Sequence, residues 1–257
     1  LHIFATIKNF CRGCMMITLH DVSKKFVIPH DRQTGLKHTV IDFIRRRREY
    51  EDFYALNNIS VTIQPGEFVG VIGKNGSGKS TLLKIIAGIM RPTSGKVTVV
   101  GSISTILDLS SGFNPELSAK DNVFLFGTAL GMSRRTLERQ FNSIISFAGL
   151  ERFVDTNLRN FSSGMAMRLG FSIAIQQESD IYLIDEVFAV GDIQFQKKCH
   201  GFFTQLKKNG KTLLFVSHAP DRILAICKTC LYLDAGEMVY YGNAKQAIHQ
   251  YLLSVKS

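Results

Sequence analysis

With 257 residues, 45% of them hydrophobic and 20% charged, the chain is long enough to bury a substantial core, as one large domain or one domain with a subdomain. A spanning helix needs about 20 predominantly apolar residues, and apolar stretches such as 181–190 stop short or are broken by charges, so the sequence predicts no membrane crossing. The net charge of +10 favours acidic partners without choosing among membrane headgroups, nucleic acid and ATP.

Residues 1–15 hold an apolar patch with Lys8 and Arg12 as its charges and no small-residue cleavage site, a poor match to a signal peptide. They read as a disordered extension, with Met15 or Met16 the natural start. Residues 17–27 read as a first strand, and alternation resumes at 55–63 after an insertion of about two dozen residues. In the insertion, Leu36, Val40, Phe43 and Ile44 recur at helical spacing ahead of Arg45-Arg46-Arg47-Arg48. This predicts an amphipathic helix at about 30–53 with a basic end suited to phosphate at a membrane surface.

Phe68-Val69-Gly70-Val71-Ile72 is a continuous apolar run, as in a strand covered on both faces. A glycine-rich turn follows, then residues 81–90 at helical period. Strands are expected at 96–100 and 102–107. Residues 121–150 turn helical, with Val123, Phe126, Leu130, Phe141, Ile144 and Ile145 three or four apart, and 165–177 continue as helix, giving a helical subdomain at about 112–178. Two buried strands, 181–184 and 213–216, flank a helix at 194–207, an order that implies parallel pairing. Strands at 231–233 and 238–241 flank the turn Asp234-Ala235-Gly236-Glu237, and a last helix covers 244–253. The cysteine pairs Cys11/Cys14 and Cys227/Cys230 have a spacing that zinc accepts, but one lies in the extension and the other straddles a strand start. Free thiols in a reducing cytoplasm are the expectation.

Gly73-Lys74-Asn75-Gly76-Ser77-Gly78-Lys79-Ser80 matches the eight-position phosphate-loop pattern, and Thr81 extends it. Glycines let successive backbone N–H groups face the phosphates, Lys79 neutralises the β- and γ-phosphates, and the Ser80 hydroxyl suits Mg2+. The preceding strand and following helix distinguish it from a chance glycine turn. Ile181-Tyr182-Leu183-Ile184-Asp185-Glu186 is an apolar strand ending in two carboxylates. Asp185 stands where Mg2+ needs a second anchor, and Glu186 can orient or deprotonate the attacking water.

Phe161-Ser162-Ser163-Gly164-Met165 opens a helix, gathering hydroxyls and unpaired N–H groups where a phosphate docks; physics alone makes it an N-cap. Leu214-Phe215-Val216-Ser217-His218 ends a strand in a histidine able to hydrogen-bond a γ-phosphate, though a lone histidine there is more often structural.

Together, over about 17–253, these segments resemble the ATP-binding subunits of ABC transporters. The resemblance implies an α/β P-loop NTPase fold: a RecA-like core with an antiparallel β subdomain and a helical subdomain, forming one nucleotide-binding domain at 16–257. It implies ATP and Mg2+ as cofactors. Phe161-Ser162-Ser163-Gly164-Met165 stands in the place of the family's Leu-Ser-Gly-Gly-Gln signature, matching at Ser162 and Gly164, with Ser163 between them. Asp192 matches in the dimer-contact loop, His218 matches the switch histidine, and Phe26 or Tyr54 is the aromatic that stacks on adenine. The family's coupling glutamine is replaced by Leu109, leaving Asp108 as the nearest side chain able to coordinate Mg2+ or water.

The wording of three segments, 160–165, 186–192 and 111–117, is similar to the branch that exports O-antigen, capsule or teichoic acid. That branch implies a homodimer of the ATPase on a separate integral-membrane permease, at the cytoplasmic face of the bacterial inner membrane, moving a lipid-linked polysaccharide. No nucleic-acid partner is expected. A soluble ABC ATPase acting on nucleic acid or ribosomes is the alternative, but the single phosphate loop and the lack of coiled-coil heptads argue against it. A kinase of a small acceptor would leave the signature segment unexplained.

Overall fold

The computed structural model describes residues 16–29, 50–107, 112–185 and 193–256, whose strands form two sheets. In chain order the strands are β1 (Met16–Pro29), β2 (Tyr50–Ile63), β3 (Phe68–Ile72), β4 (Ser94–Val100), β5 (Ile103–Ile106), β6 (Ile181–Asp185), β7 (Thr212–Val216), β8 (Thr229–Asp234) and β9 (Glu237–Asn243). The helices are α1 (Lys79–Ile86), α2 (Ala119–Ala129), α3 (Arg134–Ala148), α4 (Ser163–Ala174), α5 (Ile193–Lys208), α6 (Pro220–Ile226) and α7 (Ala244–Lys256).

Strands β1, β2 and β4 form an antiparallel sheet in the order β2-β1-β4, while the continuously apolar β3 and β7 lie at the centre of a six-stranded sheet, β5-β6-β7-β3-β8-β9. Every residue of β3 and β7 is buried, which requires cover on both faces. The period of two divides that cover. Val69, Val71, Leu183, Leu214 and Val216 join Ile17, Leu56, Ile59 and the α1 residues Leu82 and Leu83 in one cluster. Phe68, Ile72, Tyr182, Ile184, Leu213 and Phe215 face the other way, into a cluster shared with α2 to α7. The phosphate-loop helix is thus held between the two sheets, and the helical subdomain lies on the opposite side.

Several boundaries differ from the sequence reading, for identifiable reasons. Residues 50–53, assigned to the inserted helix, are strand: Phe53 pairs with Phe26, Asp52 with Val27 and Glu51 with Ile28. A Lys25–Asp52 ion pair at 2.6 Å reinforces that ladder. The run expected at 121–150 is two helices, because Ser133 starts a new one by accepting the Thr136 N–H at 3.2 Å. Helix α6 is absent from the sequence reading; at seven residues it is too short to show a period, and its Pro220 at the first turn was the available signal. The expectations for residues 1–15 and for the arginine-rich part of the insertion lie outside the described residues.

Among the described residues no helix is long and apolar enough to cross a membrane. No cluster of three or more His, Cys, Asp or Glu side chains able to hold a metal occurs among them either. Cys199, Cys227 and Cys230 are free and buried. Burial pushes the Cys199 and Cys230 thiols up to about 12, and burial together with the neighbouring Cys230 raises Cys227 as well. Thiolate is the species that alkylates and binds zinc, and it is suppressed at these positions. Iodoacetamide at pH 8 is therefore expected to leave all three unmodified in the native protein and to label them after unfolding. Peptide mass spectrometry checks this; rapid native labelling of Cys227 or Cys230 would contradict the buried environment.

Candidate nucleotide site

Three parallel strands end side by side, since Val71 of β3 lies opposite Val216 of β7, and Val216 lies opposite Asp185 of β6. The phosphate loop, the Ser217–His218 turn and the Asp185 carboxylate therefore meet at the carboxyl edge of the sheet, where open α/β sheets bind ligands. His218 is half-buried there, on a turn fixed by Ala219 N–H donating to Ser217 Oγ at 3.1 Å.

The loop itself is built by close approach. A side chain at Gly73 would lie 2.1 Å from the Leu233 carbonyl oxygen, and one at Gly78, whose φ is +102°, would lie 2.3 Å from the Ala55 oxygen. Only glycine fits both positions. Lys79 is buried, and its Nζ donates to the carbonyls of Gly73 and Lys74, each at 2.8 Å. Its charge is thereby held inside the loop that Lys74, Asn75 and Gly76 present to solvent. No side chain caps α1, whose positive dipole end faces the loop and suits an anion there.

Ser80 Oγ donates to Asp185 Oδ2 at 2.9 Å, bringing together two residues that are 105 positions apart. A hydroxyl beside a carboxylate is an oxygen-only donor set, which fits a hard cation such as Mg2+ that takes its remaining ligands from water and phosphate. Thr81 follows on the same helix. Ser77 Oγ is buried without a hydrogen-bond partner, a further polar atom in the cradle.

Ser162 heads a different element: it is the N-cap of α4, with Oγ accepting from the Met165 N–H at 3.2 Å, and Ser163 beside it is exposed. Gly164 lies in the first turn. This end of α4 belongs to the helical subdomain and is fixed from behind by the 114–118 loop. Asn122, fully buried, donates to the carbonyls of Asn114, Leu117 and Ser118 and accepts from the Asn114 N–H. The loop is then fastened to the segment before the signature by Leu158 N to Leu117 O at 3.0 Å and Arg159 N to Pro115 O at 2.9 Å. An Arg159–Glu116 ion pair at 3.0 Å adds to the contact.

Phe26 and Tyr54 fall on opposite faces of the β1–β2 ladder, because Phe26 pairs with Phe53 and Tyr54 with Lys25. Both are exposed, and the Lys24 ammonium lies 5.3 Å from the Phe26 ring centroid. Glu186, Asp192, Leu109 and Asp108 lie outside the described residues.

A family model described as ABC transporter matches residues 56–189. The O-antigen export system ATP-binding protein RfbB of Klebsiella pneumoniae is 38% identical over 92% of this chain and 97% of its own length. The chain belongs to the ABC transporter family. The teichoic acids export ATP-binding protein TagH of Bacillus anthracis is 37% identical over 91% of this chain, which spans 42% of that protein. Among solved structures, a dimeric ATP-binding cassette in a post-hydrolysis state, bound to ADP and Pi, superposes with a TM-score of 0.69 at 25% identity, over 89% of this chain and 98% of that one. The fold is that of an ABC ATPase, and its ligand is ATP.

Three contributions to this ABC cassette were not found in sequence, one of them made by a turn that was. Phe53 is the cross-strand partner of Phe26 and was hidden in the residues assigned to the inserted helix. The β8–β9 turn supports the loop from below, Gly236 N donating to Ser77 O at 3.2 Å and Asn57 N to Gly236 O at 2.8 Å. Asn122 gave no signal beyond a polar residue among apolar helical positions.

Proposed function

We propose that the chain powers export of a lipid-linked polysaccharide, of the O-antigen, capsule or teichoic acid kind, through a separate membrane permease at the cytoplasmic face of the inner membrane. The observation that carries the ATPase half of this reading is the Ser80–Asp185 hydrogen bond beside the buried Lys79. Support for the exported class comes from relatives named for O-antigen and teichoic acid export that align over nine-tenths of the chain.

Lys79 and the loop N–H groups bind the β- and γ-phosphates. Ser80 and Asp185, with Asp108, would hold Mg2+, which supplies positive charge to the phosphates when bound. Glu186 orients the attacking water and takes its proton, and His218 hydrogen-bonds the γ-phosphate. Phe26, or Tyr54, stacks on the adenine. Two copies enclose two nucleotides, and Ser162, Ser163, Gly164 and Asp192 of one copy complete the site of the other: the exposed end of α4 has open N–H groups suited to a phosphate that its own copy does not supply.

The Glu186→Gln variant is expected to bind ATP but lose turnover by about a hundredfold or more, and to sediment as a dimer with ATP and a monomer without it. Adding Ser162→Arg abolishes the ATP-driven change in mass. Turnover near the parental rate would remove Glu186 from the mechanism, and an unchanged mass would remove the sandwich. Loss of surface polysaccharide in cells carrying Lys79→Ala, restored by the parent gene, tests the exported class.

A further inference from the structure

Helix α5 starts directly after the segment that carries Glu186 and Asp192, and Lys198 stands about one and a half turns into it. Its Nζ donates to the carbonyl oxygen of Ser146 at 2.8 Å and to that of Phe147 at 3.1 Å, both in the last turn of α3. Carbonyls of a final turn have no partner within their helix. Here Ile145 O is taken by Leu150 N at 3.2 Å, whereas Ser146 O otherwise receives only Gly149 N at 3.3 Å. The Lys198 ammonium thus fills acceptors that helix geometry leaves open, at the negative end of the α3 dipole. It also lies 5.8 Å from the Phe147 ring centroid.

Beside this contact three rings meet, one from each of three helices. Phe147 of α3 meets Phe195 of α5 edge-on at 5.7 Å, Phe195 meets Phe171 of α4 at 5.9 Å, and Phe171 meets Phe147 at 6.1 Å. Ring contacts of this kind hold helices together over a broad range of tilts. Hydrogen bonds do not, because they weaken steeply with angle. The apolar triangle therefore joins α5 to the helical subdomain, and the two bonds of Lys198 fix the angle between them. That angle directs the N-terminal end of α4, where Ser162 is exposed.

We propose that Lys198 is a positioning residue: by latching the end of α3 to α5, it holds the signature end of α4 at the angle required by the nucleotide of a second copy. The proposal rests on the two-copy ATP sandwich described above. Lys198→Met keeps the aliphatic stem and removes the donors, and Lys198→Arg keeps donors at similar reach. Both are placed in the Glu186→Gln protein. Pairing is read by sedimentation with ATP, and binding by the monomer is read with a fluorescent ATP analogue on dilute protein. Lys198→Met is expected to weaken ATP-driven pairing by about three- to tenfold, the range for a charged hydrogen bond at a helix end. Monomer affinity should change less than about twofold, and Lys198→Arg should restore pairing. Pairing by Lys198→Met equal to that of its parent would overturn the latch. So would a parallel fall in monomer affinity, which marks general loosening, or failure of arginine to restore pairing. If the Glu186→Gln parent does not pair with ATP, the sandwich itself fails and the latch falls with it, a result distinct from the others.

Discussion

Lys79→Ala lowers ATP affinity and turnover by about a hundredfold or more while lowering the stability of the fold by only about 1–2 kcal/mol. The size of the effect follows from the burial of the side chain. Its Nζ is held between the Gly73 and Lys74 carbonyls at 2.8 Å each, so the charge is fixed where the phosphates arrive and costs no reorganisation when they do. Removing one such preorganised donor from an anion site costs two to three orders of magnitude in comparable enzymes, about 2.7–4 kcal/mol. Alanine also leaves the two carbonyls without their donor; the Lys74 one lies at the exposed loop where water can replace the ammonium, but the Gly73 one is buried, so the stability cost is that of one unsatisfied acceptor, about 1–2 kcal/mol. Nucleotide titration and phosphate release measure the first effect and thermal unfolding the second. Turnover within a few-fold of the parent would show that the buried ammonium is a structural strut and not the phosphate-binding charge.

Asn122→Leu has the largest expected effect on stability, about 3 kcal/mol, and it acts on the signature without touching it. The parent amide donates at 3.0, 3.1 and 2.9 Å to three carbonyls and accepts the Asn114 N–H at 2.8 Å, with no exposure to water. Leucine has similar volume, so the loss is of polar partners and not of packing. All three carbonyls have other donors, Leu117 N to Asn114 O, Leu158 N to Leu117 O and Asn122 N to Ser118 O, so the orphaned Asn114 N–H dominates the cost. Once the 114–118 loop loosens, its ties to residues 158 and 159 loosen with it, and Ser162 begins three residues further on. ATP binding to the monomer should persist while ATP-driven pairing and turnover fall. Urea unfolding checks the first number. A change under about 1 kcal/mol would mean that water replaces the amide and that the site is less closed than its burial indicates.

The phosphate loop, the Asp185 strand end, the signature helix start and the parallel pairing of β6 with β7 were all legible in the amino-acid sequence. Each depends on residue types adjacent in the chain: glycines that let backbone approach phosphate, an apolar run ending in a carboxylate, a serine able to cap a helix. Local chemistry of this sort is written in order and is read in order. The reach of the β1–β2 ladder to residues 29 and 50 was not, because charged and aromatic residues such as Lys25, Asp52, Phe26 and Phe53 become strand only by pairing with each other across the insertion. Asn122 and Lys198 were equally silent. A buried asparagine and a helical lysine look like any polar residue at their positions, and what makes them matter lies elsewhere: carbonyls of a folded-back loop for one, and the end of a helix some 50 residues away for the other. Only tertiary structure decides such roles, since an unsatisfied carbonyl exists as a site only after the backbone that exposes it has folded.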